Sequence, residues 1–406
     1  MKPRGAHAGV VARAVGGAVL ALGAGAAAGA VALSLHFARR VLTPATVPLA
    51  EVEVTGLESG RAGGPDRVRL RGPDAGLPGR YSFIFAGGTS HARLGPVLAH
   101  DGDGAVWREL LAEDRGRITL GARGRVTGWW YTDPAELGYR TTSAEIRTAG
   151  GSLRAWLVEP PAERADPGRW AIHVHGRGAL PEETIRGVAP CARAGITSLV
   201  ISYRNDPGAP RGRRGRYGLG LAERLDVEAA IAWAHARGAR RVTLVGWSMG
   251  GTASLCAAAY GTHAASIDGL VLDSPALDWP GLLRHQARLA GVPAWVGRLG
   301  GCALQTGAVA GALPGRRSTP INELTPERFA SAVHVPVLIH AGPEDTYVPW
   351  NAAVRLARLR PALVTLRSAR GEHVKLWNVD PEAWEAATEA FVRALPEPRE
   401  RRAQLH

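Results

Sequence analysis

The segment Gly246-Trp247-Ser248-Met249-Gly250-Gly251 follows an apolar run, Val242–Val245, and opens a helical one, Gly250–Tyr260. A serine on a sharp strand-to-helix turn needs small residues two places before and after it, and the turn leaves its hydroxyl exposed. The helix N-terminus beneath favours developing negative charge. Serine is a weak nucleophile until a base takes its proton, and the base needs an acid to fix its tautomer. The order that accompanies such a turn is serine, acid, histidine. Asp345 follows the apolar run Val335–His340, and beyond it only His373 and His406 remain. His406 ends a charged tail, so His373 is the candidate base. Asp273 and Glu344 compete with Asp345 for the acid. Asp345 is preferred because it follows the next-to-last strand and Val348-Pro349 then leads into a helix. Asp273 reads as a cap on the turn after its own strand.

Acyl transfer also needs N–H donors aimed at the oxygen that gains charge. The backbone of Met249, next after the serine, supplies one. The loop His175-Gly176-Arg177-Gly178 supplies the second from the backbone of Arg177. His175 reads as a brace for that loop. Cys191, Cys256 and Cys302 lie in unrelated, largely apolar surroundings, which excludes a disulfide framework or a Cys-rich zinc site. No cofactor motif and no metal ligand set is evident.

Positioning these residues takes a sheet. From about residue 140 a hairpin, Thr142–Thr148 with Leu153–Val158, gives way to apolar strands alternating with helices. The strands are Trp170–His175, Ile196–Ser202, Val242–Val245, Gly269–Asp273, Val335–His340 and Leu363–Leu366. The helices include Leu221–Ala236, Gly250–Tyr260, Asn351–Ala357 and Pro381–Ala394. This alternation predicts an α/β fold, a mostly parallel sheet with helices on both faces and its site at the carboxyl ends of the strands. Residues 276–330 are too many for one crossover and read as a small lid rich in Trp and Leu, or as an ordinary packed crossover. Trp247, Trp350 and Trp377, close in sequence to the candidate residues, read as core.

Before this region, residues 41–138 show short runs with a period of two, such as Glu51–Thr55, Arg67–Arg71 and Tyr81–Phe85. They predict a small β-rich unit. His91 and His100 read as surface or loop residues. Residues 14–37, within an N-terminal segment 1–40, contain no Asp, Glu, Lys or Arg. A helix of that length is about 36 Å long and spans a bilayer core of roughly 30 Å. A single-pass membrane anchor is therefore expected, with a cleaved signal or an Ala-rich soluble helix as alternatives. Arginines lie on both sides, so flanking charge only leans toward an extracytoplasmic catalytic domain.

The catalytic domain is read as 139–396 and the charged tail as 397–406. The formal net charge is +13, and Lys2 and Lys375 are the only lysines. The densest basic cluster, Arg204, Arg211, Arg213, Arg214 and Arg216, lies in a Gly/Pro loop without a nucleic-acid motif. It reads as a solvated loop, or as steering for an anionic substrate or headgroup, and no nucleic-acid partner is expected.

The elements His175-Gly176, Gly246-Trp-Ser248-Met-Gly250-Gly251, Gly342-x-x-Asp345-x-x-Val348-Pro349 and Gly371-x-His373 resemble the α/β-hydrolase superfamily. The last two are similar to those of prolyl-oligopeptidase-like peptidases and membrane-associated monoacylglycerol-lipase-like hydrolases. The resemblance implies Ser248 as nucleophile, His373 as base, Asp345 as its partner, and an oxyanion hole from the N–H groups of Met249 and Arg177. The expected activity is hydrolysis of a carboxylic ester, including lipid esters. A peptidase or amidase, an acyltransferase, and a non-catalytic binding protein on the same fold are the competing readings. Such binding proteins usually lose a triad member, and all three candidates are present here.

Overall fold

In the computed structural model the described residues are 29, 31–36, 38–44, 50–60, 64–306 and 319–396. Six strands form a closed barrel: β1 (Val52–Glu58), β2 (Arg67–Arg71), β3 (Tyr81–Phe85), β4 (Ser90–His100), β5 (Val106–Arg115) and β6 (Arg123–Thr127), in the order β1-β2-β5-β4-β3-β6. Alternate residues turn inward, among them Val52, Val54, Val68, Leu70, Phe83, Phe85 and Leu94. Closure leaves no unpaired strand edge. The sequence pattern reveals β1, β2 and β3 but not β4 and β5, whose pairing shifts register four times and so breaks the period of two.

His91, expected at the surface or in a loop, is instead buried on β4 and only 1% exposed. Its Nε2 lies 2.7 Å from Ser82 Oγ and its Nδ1 2.9 Å from Asp114. Arg108 on β5 is fully buried too. It has no carboxylate partner among the described residues and donates instead to the carbonyls of Ala75, Leu77, Gly79 and Gly95. These bonds compensate the cost of burying the guanidinium, and burial pushes its pKa down to about 10.

An eight-stranded sheet follows: β7 (Arg140–Thr148), β8 (Gly151–Glu159), β9 (Arg169–Val174), β10 (Thr197–Ile201), β11 (Arg241–Trp247), β12 (Ile267–Asp273), β13 (Val337–Ala341) and β14 (Val364–Ser368). The spatial order is β14-β13-β12-β11-β9-β10-β8-β7. The hairpin β7–β8 and the pair β8–β10 are antiparallel, and the remaining pairs are parallel. Every residue of β10, β11, β12 and β13 is buried. Helices cover both faces, as the continuous apolar runs require. The predicted strands and helices recur within a few residues of their expected ends.

Two segments flank the candidate site. Over 276–330 the chain forms helices Trp279–Leu289 and Ala294–Thr306 and enters a third, Pro326–Ala332, that runs past its end, and residues 307–318 lie outside the described set. At the N-terminal end, residues 31–36 and 38–42 are helical.

The single-pass membrane localisation expected from residues 14–37 is corrected here. Among the described residues no helix is long and apolar enough to cross a membrane. Most of the stretch lies outside those residues, as does the tail 397–406. Within the stretch, among the described residues, only Ser34 is buried while Val31 and Leu33 are exposed; just after it Ala38 and Leu42 are buried, and the Leu42 carbonyl accepts from the Tyr217 N–H at 2.8 Å. A low count of charged residues signals burial as well as lipid, and here the burial is against Gly300 of the helix Ala294–Thr306. The Arg loop is likewise less solvated than expected at one end, where Arg204 grips buried Asp226 through two nitrogens at 2.7 and 2.9 Å.

Candidate active site

Ser248 sits between β11 and the helix Met249–Tyr260 with φ 49° and ψ −115°. A non-glycine residue in such a conformation carries strain of about 1–3 kcal/mol, which the surroundings must hold. They do so through close packing of glycine. A Cβ on Gly246 would lie 2.7 Å from the Gly250 carbonyl oxygen, and one on Gly250 only 2.1 Å from that of Val174. The Ser248 N–H donates to the Asp273 carbonyl at 2.9 Å, which ties the turn to β12.

His373 lies in the loop after β14. Its Nε2 is 2.9 Å from Ser248 Oγ, and its Nδ1 is 2.8 Å from Asp345 Oδ2. The other Asp345 oxygen accepts from the backbone N–H groups of Tyr347 and Val348 at 2.9 and 2.8 Å. This carboxylate is therefore fixed on both sides, and its side chain is only 3% exposed.

The two competing acids point elsewhere. Glu344 Oε2 accepts from the Gly371 N–H at 2.8 Å. Asp273 accepts from Ser274 Oγ and Trp384 Nε1 at 2.9 and 2.8 Å.

Burial pushes the Asp273 pKa up from 3.8 to about 6. Between those values the folded protein holds a proton there that the unfolded chain has lost. Stability should therefore fall as pH rises through that window and level off above it. Asp273→Asn removes this titration, so its melting temperature relative to wild type should climb from about pH 4 to about pH 6. Thermal unfolding of both proteins across that range checks it; a constant difference would show that Asp273 does not titrate there.

The loop after β9 lies beside the serine. The Gly176 N–H donates to Glu183 Oε2 at 2.7 Å, and its carbonyl accepts from Tyr203 Oη at 2.8 Å. His175 stacks on the Tyr203 ring at 4.0 Å and reaches Asp206 Oδ2 at 2.8 Å. Burial works most strongly against its charged form, but the Asp206 and Glu183 carboxylates and the Gly176 carbonyl together outweigh it and hold the pKa above its ordinary value. Glu183, Tyr203 and Asp206 leave no trace in the sequence, because no local pattern links them to the loop. Among the described residues, neither the Met249 nor the Arg177 backbone N–H donates to a protein acceptor. The Arg177 side chain turns away to the Tyr347 hydroxyl at 2.5 Å.

These groups open on a cavity of about 260 Å³. Ser248, His373, Gly176 and Arg177 form its polar side. Trp279, Leu282 and Leu283 of the helix Trp279–Leu289, with Ala276 and Val41, form its apolar side. Trp247 and Trp377 are wholly buried and stand outside its lining.

The sheet order, the elbow and the following helix define the α/β-hydrolase fold, which this chain has. A solved structure of the Pyrococcus furiosus esterase Pf2001 is similar at 18% identity and a TM-score of 0.50, over 65% of this chain and 96% of that one. Est1E from Butyrivibrio proteoclasticus, with ferulic acid bound, is similar at 19% identity and a TM-score of 0.47, over 62% of this chain and 98% of that one. An acylaminoacyl peptidase in complex with Z-Gly-Gly-Phe-chloromethyl ketone is similar at 12% identity and a TM-score of 0.45, over 85% of this chain and 49% of that one. Residues 54–127, within the barrel, match a family described as a domain of unknown function, DUF8805. No curated protein matches the chain.

Proposed function

We propose that this protein is a serine hydrolase that cleaves a carboxylic ester through an acyl-Ser248 intermediate. The observation that carries this reading is the unbroken chain Asp345 Oδ2, His373 Nδ1, His373 Nε2, Ser248 Oγ, with 2.8 and 2.9 Å separations. In it His373 takes the Ser248 proton as the oxygen attacks the ester carbonyl. It returns that proton to the departing alkoxide, then activates the water that releases the acid. Asp345 orients the imidazole and stabilises its charged form. The unengaged N–H groups of Met249 and Arg177 receive the oxyanion.

The apolar wall of Trp279, Leu282 and Leu283 suits a hydrophobic acyl or aryl group, and supports residues 276–330 as a lid. The same chain of groups also cleaves amides, so the substrate class is tested by pairing. Purified protein should turn over p-nitrophenyl acyl esters at a rate that saturates with substrate and should leave peptide p-nitroanilides of matching size nearly untouched. Faster anilide cleavage would replace the esterase reading with a peptidase one.

A further inference from the structure

The loop that carries His373 is strained. Gly371 has φ +124° and Val374 φ +54°, and a β-branched residue is a true outlier at positive φ. Strain of this kind persists only where surrounding contacts over-determine the backbone. Two such contacts come from the hydrolase domain: Val374 N–H donates to Ser274 Oγ at 3.1 Å, and Arg186 donates to the Val374 carbonyl at 3.0 Å.

The others come from the barrel. Lys375 Nζ meets Asp74 Oδ2 at 2.6 Å. Arg80 N–H donates to the Asn378 carbonyl at 2.9 Å, and Asn378 Nδ2 donates back to the carbonyls of Arg80 and Gly128 at 2.8 and 3.1 Å. The Arg80 guanidinium lies 4.6 Å over the Trp377 ring.

The fit here is backbone against backbone. A Cβ on Gly79, at φ +103°, would sit 2.2 Å from the Asn378 carbonyl oxygen, and one on Gly128 2.7 Å from Asn378 Oδ1. Glycine alone permits that approach. The barrel segment that makes it is itself held from behind, since Arg108 donates to the carbonyls of Ala75, Leu77 and Gly79. Asn378, fully buried, joins the two domains: Nδ2 faces the barrel while Oδ1 accepts from Arg186 at 2.6 Å.

We propose that the six-stranded barrel is a positioning element for the His373 loop, with Asn378 as the positioning residue that couples them. This role rests on the serine-hydrolase reading above. The buried Arg108, which has no carboxylate partner among the described residues and donates to the carbonyls of Ala75, Leu77 and Gly79, fixes the surface against which the loop is set.

The experiment is a mutant cycle in the full-length protein, read by p-nitrophenyl ester kinetics. Asn378→Asp keeps an oxygen for Arg186 and loses the donor to the barrel. Its kcat should fall about tenfold or more, with KM within about twofold, because a small misplacement of a reacting group is costly while the apolar wall of Trp279, Leu282 and Leu283 stays in place. In the His373→Ala background the same change should have almost no further effect, because it acts through His373. A purely structural role would lower both backgrounds alike. Should Asn378→Asp not fold, Asp74→Ala, which removes a partly exposed contact on the barrel side, gives the decision. A fall in kcat at constant KM, again absent without His373, supports the proposal. A folded variant with wild-type kcat, or equal losses in both backgrounds, overturns it. Ser248→Ala measured alongside separates the two ideas: an esterase rate that survives it overturns the nucleophile assignment and this role with it, whereas a rate lost in Ser248→Ala but intact in Asn378→Asp overturns only the role of the barrel.

Discussion

Ser248→Ala should lower ester kcat by about four to six orders of magnitude in a protein that still folds. The side chain makes one contact of consequence, at 2.9 Å to His373 Nε2, and the conformation at this position is held by Gly246, Gly250 and the Asp273 carbonyl. Alanine should therefore adopt the same turn and leave the fold intact. His373→Ala should cost nearly as much, because the hydroxyl is a poor nucleophile once nothing accepts its proton. The double variant should be little worse than either single one, since the groups act as a unit. Losses that multiplied in the double variant would mean that Ser248 and His373 serve separate steps.

Asp345→Asn should reduce kcat by a smaller but still large factor, about 10,000-fold where the wrong imidazole tautomer results. An amide in place of Oδ2 offers His373 Nδ1 a donor where an acceptor is needed, while an amide oxygen in place of Oδ1 still receives the N–H groups of Tyr347 and Val348. The local turn should survive, so circular dichroism and melting temperature should stay near wild type. Asp273→Asn is the internal comparison. Its carboxylate faces Ser274 and Trp384 rather than His373, so most of the activity should remain. A dead Asp273→Asn beside an active Asp345→Asn would reassign the acid.

Ser248, His373 and Asp345 were legible because each follows a strand and the fold dictates their order along the chain. The spacing of glycines around Ser248 reports a local steric demand, and local demands leave local traces. Glu183, Tyr203, Asp206 and Asn378 left none. Their work is done between segments up to 298 residues apart in sequence, as in the bond from Asn378 Nδ2 to the Arg80 carbonyl, and one sequence carries no pairing information of that kind. The barrel was half legible: the runs Glu51–Thr55, Arg67–Arg71 and Tyr81–Phe85 alternate, whereas the bulges of β4 and β5 erase the pattern and hid both His91 and Arg108. The charge-free stretch 14–37 misled for a different reason. Hydropathy scores the absence of charge, but Ser34 within it, and Ala38 and Leu42 just beyond it, owe their burial to protein contacts.

The most direct measurement is covalent. A fluorophosphonate probe reacts with a serine only when a base and an oxyanion site activate it. Incubating the purified protein with the probe, digesting it and mapping the adduct by mass spectrometry should place one label on Ser248, lost in Ser248→Ala and much slowed in His373→Ala. A folded protein that takes up no label, or takes it up at another residue, would contradict the assignment of Ser248 as the nucleophile.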